Sequence, residues 1–264
     1  MDRTDQELVR DARFISRPFI LSLVAAGLIS APANAQNTES GTVSDRKFVT
    51  LLGIHSATVA PHGLVFGGVS RSFDLNNEDA EEDTSAVLGF GLGDANTGVG
   101  FQFSAFANSE TDTFDSFGYL GVKASARLQS FSSPTYVGLA VDRIAGQGAA
   151  EDVEEAASLM ITRFDSFRAG ETDYPVILTL GAGSHASDLS TEPGIFLGAG
   201  VGLSRHLGVS AAWNGEWVEL GSGIKVSAVE NLTITLSVAD ALNEVDRQQL
   251  AVGVSWFFDA GQWR

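Results

Sequence analysis

Between residues 63 and 258 the chain repeats one motif. Runs of about ten residues alternate large apolar side chains with small or polar ones at a period of two. That period predicts β-strands. The runs fall at 63–73, 85–94, 97–107, 117–128, 135–144, 155–166, 174–183, 193–204, 207–214, 216–226, 230–239 and 248–258, twelve in all. Polar punctuation separates them. No long stretch after residue 35 carries the apolar stripe of an amphipathic helix.

What alternates with what sets the fold class. In 85–94, Leu88, Phe90 and Leu92 share one face and Gly89, Gly91 and Gly93 the other. In 117–128, Leu120, Val122, Ala124, Ala126 and Leu128 oppose Tyr119, Gly121, Lys123, Ser125 and Arg127. In 193–204, Ile195, Leu197, Ala199, Val201 and Leu203 oppose Phe196, Gly198, Gly200, Gly202 and Ser204. A water-soluble sandwich covers its wet face with long polar side chains and keeps the large apolar ones inside. Here the second face is mostly Gly, Ala, Ser and Thr, and the large face is almost free of charge. The pattern therefore predicts an all-β protein, an antiparallel transmembrane β-barrel of about 12 strands (range 10–14), with lipid against the large residues. Strands exposed to hydrocarbon must close on themselves, because an open edge leaves backbone groups unpaired where no water reaches.

The connections repeat the message. The links 74–84, 108–116, 145–154, 184–192 and 240–247 are long and polar, while 95–96, 129–134, 167–173, 205–206 and 227–229 are mostly shorter. Alternating short and long links match the periplasmic turns and outer loops of bacterial barrels. Asn214-Gly215 is the short exception among the outer links and predicts a two-residue type I′ hairpin between Trp213 and Glu216.

Ahead of the strands, Arg3, Arg10, Arg13 and Arg17 precede the apolar run Phe19 to Ile29, and Ala33-x-Ala35 follows. A basic start, a short apolar core and a small-residue cleavage site predict a signal peptide over 1–35. Residues 36–62 are expected to form an N-terminal periplasmic or plug segment. Its apolar part, Phe48 to Val59, fits an extra strand, a plug in the lumen or a periplasmic lead-in. The barrel is expected over 63–258, with a short C-terminal tail over 259–264.

Signal peptide, alternating strands and loop asymmetry together resemble a Gram-negative outer-membrane β-barrel protein across roughly residues 63–258. Such proteins end in a strand with alternate apolar residues and an aromatic that the outer-membrane assembly machinery recognises. Leu250, Val252, Val254, Trp256 and Phe258 have that character, although the tail continues to Arg264. The resemblance implies outer-membrane location, contact with outer-membrane lipid and assembly by that machinery. Trp213 and Trp217 near one rim, and Trp256, Phe257 and Phe258 near the other, are expected to form interfacial girdles.

Composition narrows the chemistry. The chain has 264 residues, no cysteine, 16 basic and 33 acidic residues, and a formal net charge of −17. A polyanion would be repelled, so nucleic acid is excluded as a partner. Thiolate chemistry is absent. His55, His62, His185 and His206 show no metal-ligand spacing, and no metal or cofactor is expected. Gly181 to Ala186 imitates a dinucleotide fingerprint, yet Pro193 and turn residues stand where a helix is required. Some barrels of the class are lipid hydrolases. Ser184, His185 and Asp188 share an outer link, but neighbours on a strand point to opposite faces, so the serine and histidine do not pair there. No enzyme activity is expected and no catalytic residue is assigned.

Two sets of charged residues remain. Asp74, Glu78, Asp79, Glu81, Glu82 and Asp83 form an acidic outer-loop cluster, suited either to solvation or to cations. Lys123, Arg127, Asp142, Glu219 and Lys225 fall on the lumen face by parity. The reading that follows is a passive channel for small polar solutes. The alternatives are a surface-structural or adhesive barrel with cation-binding loops and, last, a barrel-embedded lipid hydrolase.

Overall fold

The computed structural model describes residues 47–76, 83–109, 117–148, 150–151, 153–184 and 193–259. The expected signal peptide lies outside the described residues. So do Glu78, Asp79, Glu81, Glu82, His185 and Asp188.

Twelve antiparallel strands close into one barrel. They are β1 (Leu64–Asp74), β2 (Asp83–Gly93), β3 (Val99–Ser109), β4 (Phe117–Arg127), β5 (Thr135–Gly148) and β6 (Ala156–Ala169). The second half comprises β7 (Thr172–Gly183), β8 (Gly194–Gly202), β9 (Leu207–Trp213), β10 (Val218–Lys225), β11 (Leu232–Ala239) and β12 (Gln249–Asp259). Each strand pairs with its sequence neighbours, and β1 pairs with β12 from Leu64↔Asp259 to Asp74↔Gln249, which leaves no open edge. The alternation predicts each of these strands to within a few residues, including β6, the run whose two faces look most mixed in sequence.

Side-chain direction follows the predicted inversion. Leu88, Phe90, Leu120, Leu139, Leu159, Leu180, Ile195, Leu220 and Leu236 all lie on the outside, and Leu88 and Leu159 keep 59 % and 58 % of their surface exposed. Their strand neighbours Ser85, Gln102, Lys123, Thr162, Thr179, Phe196 and Ser237 are buried inside. A belt of this size on a water-soluble protein would drive aggregation; in a bilayer it is the lipid-facing wall.

The barrel has a short-turn end and a long-loop end. The turns after β2, β4, β6, β8 and β10 mark the first; β6 and β7 meet there through Gly170, at φ +64°. The link after β9 departs from the predicted type I′ turn. Type I′ needs positive φ at both central residues, but only Gly215 has it, at φ 102°. The Asn214 side-chain oxygen instead accepts the amide N–H groups of Glu216 and Trp217, both at 3.0 Å. An Asx-type turn therefore makes a four-residue link.

The girdles also differ from expectation. Trp256 and Phe258 are exposed at the short-turn end and meet edge to face, with ring centroids 6.4 Å apart. Phe257 packs inward against buried Phe66 and its neighbours. At the other rim Trp217, in the four-residue link, is buried rather than lipid-facing.

Candidate functional site

The interior is filled by the chain's own segment 47–62. It starts at the short-turn end, where the Phe48 amide donates to the Ser204 carbonyl at 2.8 Å. It rises past β8–β10 to an apex at Gly53, beside Glu219 on the second residue of β10. It then descends along β2–β6 and returns to the short-turn end, where the Gly93 amide donates to His62 Nδ1 and Gly63 leads into β1. Both limbs thus leave through one mouth. At the apex Gly53 has φ +85°, which a residue with a Cβ adopts only under strain.

Two features of sequence make this packing possible. Leu51, Ile54, Ala57 and Val59 supply apolar surface and join Met160, Phe164, Ile177 and Phe196 of the wall in one buried cluster. Rows of inward glycines supply room. A Cβ at Gly138 would lie 2.8 Å from the Ala57 Cα, one at Gly221 would lie 2.6 Å from a Leu52 methyl, and one at Gly200 would collide with the Thr50 carbonyl. These inward glycines are where the segment's backbone and side chains lie against the wall.

The segment makes no strand ladder with the wall. Side chains of the barrel satisfy its backbone instead. Ser210 accepts the Leu52 amide at 3.2 Å, Thr162 the Ala57 amide at 2.8 Å, and Gln102 the Ala60 amide at 3.0 Å. Such bonds seat a polypeptide without merging it into the sheet.

The lumen-facing residues fall into separate places. Lys123 and Asp142 come together around His55 of the segment. Lys123 Nζ donates to the Ser56 carbonyl at 3.3 Å, and His55 Nε2 lies 3.4 Å from Asp142 Oδ2. These groups, with Gln102 and Ser104, border a cavity of about 20 Å³, room for a water molecule and no solute. Glu219 is buried across the lumen and accepts a hydrogen bond from the Ser237 hydroxyl. Lys225 sits six positions further along β10, its Nζ 5.1 Å from the centre of the Phe48 ring. Lys47 lies 3.3 Å from the centre of the Tyr174 ring at the same end. Arg127, the last residue of β4, is half-buried at the short-turn rim and joins neither group.

At the long-loop end, Asp74 Oδ1 accepts the Asn76 amide at 2.8 Å, and Asp83 opens β2. Asn76 Nδ2 donates to Asn243 Oδ1 at 2.9 Å, tying two loops together. Sequence reasoning missed the residue that shapes the second loop. Buried Asp240 accepts the amides of Glu244, Val245 and Arg247 at 2.6, 3.1 and 3.1 Å. Among the described residues no three His, Asp or Glu side chains gather to hold a metal. Ser184 continues the β6–β7 ladder, its Oγ accepting the Ala157 amide at 3.0 Å.

A closed barrel with bulky apolar residues outside and small or polar ones inside defines the class: this is an outer-membrane β-barrel protein. No protein-family model and no curated protein matches the chain. Solved barrels share the architecture. KdgM porin is 13% identical with a TM-score of 0.48, the match covering 73% of this chain and 99% of that one. Omp33 of Acinetobacter baumannii is 12% identical with a TM-score of 0.45, covering 75% and 98%. Outer membrane phospholipase A from Escherichia coli is 15% identical with a TM-score of 0.40, covering 76% and 99%. These likenesses concern the fold alone.

Proposed function

We propose that the protein is an outer-membrane channel for small polar solutes, closed when segment 47–62 is seated in the lumen. The carrying observation is the chemistry of the inner wall. Ser70, Ser85, Gln102, Ser104, Thr179, Ser210, Thr235 and Ser237 line it, with Lys123, Asp142 and Glu219 among them. Met160, Phe164, Ile177 and Phe196 interrupt this lining with an apolar patch on which Leu51, Ile54 and Val59 rest, but a wall that was only a dry core would have no use for the polar remainder. Those polar residues suit water, and they become a polar conduit once the segment leaves. The short-turn end faces the periplasm in this reading, so the segment withdraws to that side.

A reversible tether tests the reading, helped by a chain free of cysteine. Ala57 and Gly138 lie close enough for a Cβ at Gly138 to stand 3.1 Å from the Ala57 Cβ. The pair Ala57→Cys with Gly138→Cys therefore approaches disulfide spacing, about 3.5–4.5 Å between Cβ atoms, after a small backbone adjustment. In planar bilayers the oxidised variant is expected to be silent, and a reductant to restore discrete conductance steps. Steps through the oxidised, tethered barrel would refute closure by this segment, and silence of both forms beside a conducting control porin would refute the channel.

A further inference from the structure

The closed lumen holds charge in an expensive place. Glu219 is 4 % exposed and Lys123 7 % exposed, yet neither has a close ion-pair partner in contact. Among the described residues the Glu219 carboxylate takes one hydrogen bond, from the neutral Ser237 hydroxyl, and the apex of the segment at Gly53 presses on its side chain. Lys123 donates to one neutral carbonyl, that of Ser56, also near the apex. Asp142 borders the same cavity and its charge offsets part of the cost at Lys123, while its close contact, at 3.4 Å, is with His55. Removing an ion from water costs more than one neutral hydrogen bond returns, as at Glu219, and at Lys123 a counter-charge outside direct contact makes up only part of the difference.

In both cases the group that excludes water is the segment itself. Withdrawal would leave Glu219 on β10 and Lys123 on β4 facing a wet lumen, with their hydration restored. Burial of Leu51, Ile54 and Val59 favours the seated segment and acts in the opposite direction.

We infer that Glu219 and Lys123 are gate-biasing residues: charges on the wall that the seated segment must dehydrate, and that therefore lift the closed state toward the open one. This rests on the channel reading for its meaning, though not for its test. The inference runs against the intuition that a buried polar contact is a latch. Neutral residues of similar shape at either position should hold the segment more tightly.

The test reads the segment's position directly. A single reporter, Ala57→Cys, is fully buried when the segment is seated and reacts with a water-soluble maleimide only when it leaves. Labelling is followed on folded barrels in phospholipid vesicles, folding being checked by the heat-dependent shift of barrel migration in detergent gels. Single-channel recording runs in parallel. In the reporter background, Glu219→Gln and Lys123→Met should each slow labelling on the order of tenfold. Lys123→Arg, which keeps the charge, should label close to the parent rate.

Unchanged or faster labelling in the folded neutral variants would overturn the inference. So would a parent that labels only after denaturation, since its segment would never leave. If labelling slows as expected while no variant conducts, the bias stands and the channel reading falls. If conductance appears and labelling does not respond, the channel reading stands and the bias falls.

Discussion

The hydroxyl of Thr162, on the wall strand β6, accepts the amide N–H of Ala57 in the internal segment at 2.8 Å and lies 2.7 Å from the hydroxyl of Thr179 on β7. Thr162 is fully buried, so no water replaces what it provides. Thr162→Val keeps the shape and removes the acceptor. The stranded amide should weaken the seat by about 1–3 kcal/mol, and exchange of the Ala57 amide hydrogen should accelerate accordingly. An Ala57 amide as protected in the variant as in the parent would refute this role. Adding Thr179→Val should bring no recovery, because the orphan is the backbone amide.

Gly200 illustrates the opposite limit, where the wall cannot accept another atom. A methyl group there collides with the Thr50 carbonyl. Gly200→Ala should destabilise the seated segment by about 1–3 kcal/mol while the strand ladders persist. Maleimide labelling at Ala57→Cys should rise with the strand signal in circular dichroism unchanged. An unaltered labelling rate would show that the segment has slack at this point.

Leu159 tests which solvent touches the outside. It lies on the apolar belt of β6, opposite Leu139 of β5, and 58 % of its surface is exposed. Leu159→Arg should cost on the order of 1–4 kcal/mol when folding is measured from urea into phospholipid vesicles, as for a charge placed on the lipid face of the apolar band. A near-neutral effect would mean that water, not hydrocarbon, covers this face.

Asp94, in the turn between β2 and β3, gives a pH dependence. Its carboxylate accepts the Asn96 amide at 2.9 Å and the Thr97 hydroxyl at 2.9 Å. The backbone bond from Asn96 is the main cause, the Thr97 hydroxyl the next, of a carboxyl pKa held below the ordinary 3.8. With the folded value below the unfolded one, the contribution is complete above the unfolded value and fades as pH falls through the folded one. Asp94→Asn should therefore be less stable than the parent at neutral pH, with the gap closing below about pH 4. A gap constant from neutral to strongly acid pH, in parallel denaturation curves, would refute the assignment.

Strand positions and facing were legible because lipid and lumen impose opposite demands on alternate residues. Leu88 against Gly89 states that demand in two letters. The bulges of β5 were not legible. Arg143 and Ala145 take positive φ of 63° and 52°, and the β4–β5 register shifts beside them, yet the alternation on either side conceals the extra residues. The fate of residues 48–59 was not legible either. An irregular segment seated on hydroxyl groups has no period to detect, since its backbone is satisfied by residues distant in sequence. The signal lay elsewhere, in Gly198, Gly200, Gly221 and Gly223, inward positions kept free of side chains because a polypeptide rests on them. Lumen-facing charges were assigned by parity alone. Parity did not tell that Lys123 and Asp142 meet around His55 while Glu219 stands across the lumen from them.

The shared mouth of the two limbs bears on biogenesis. A strand trapped like a thread through a ring must be present when the ring is made. A loop hung from one rim need not be. The seam between β1 and β12 is therefore free to zip up around an empty cylinder, with Phe48 to Ala60 tucked in afterwards, and the fully formed wall never has to reopen to admit or eject its contents.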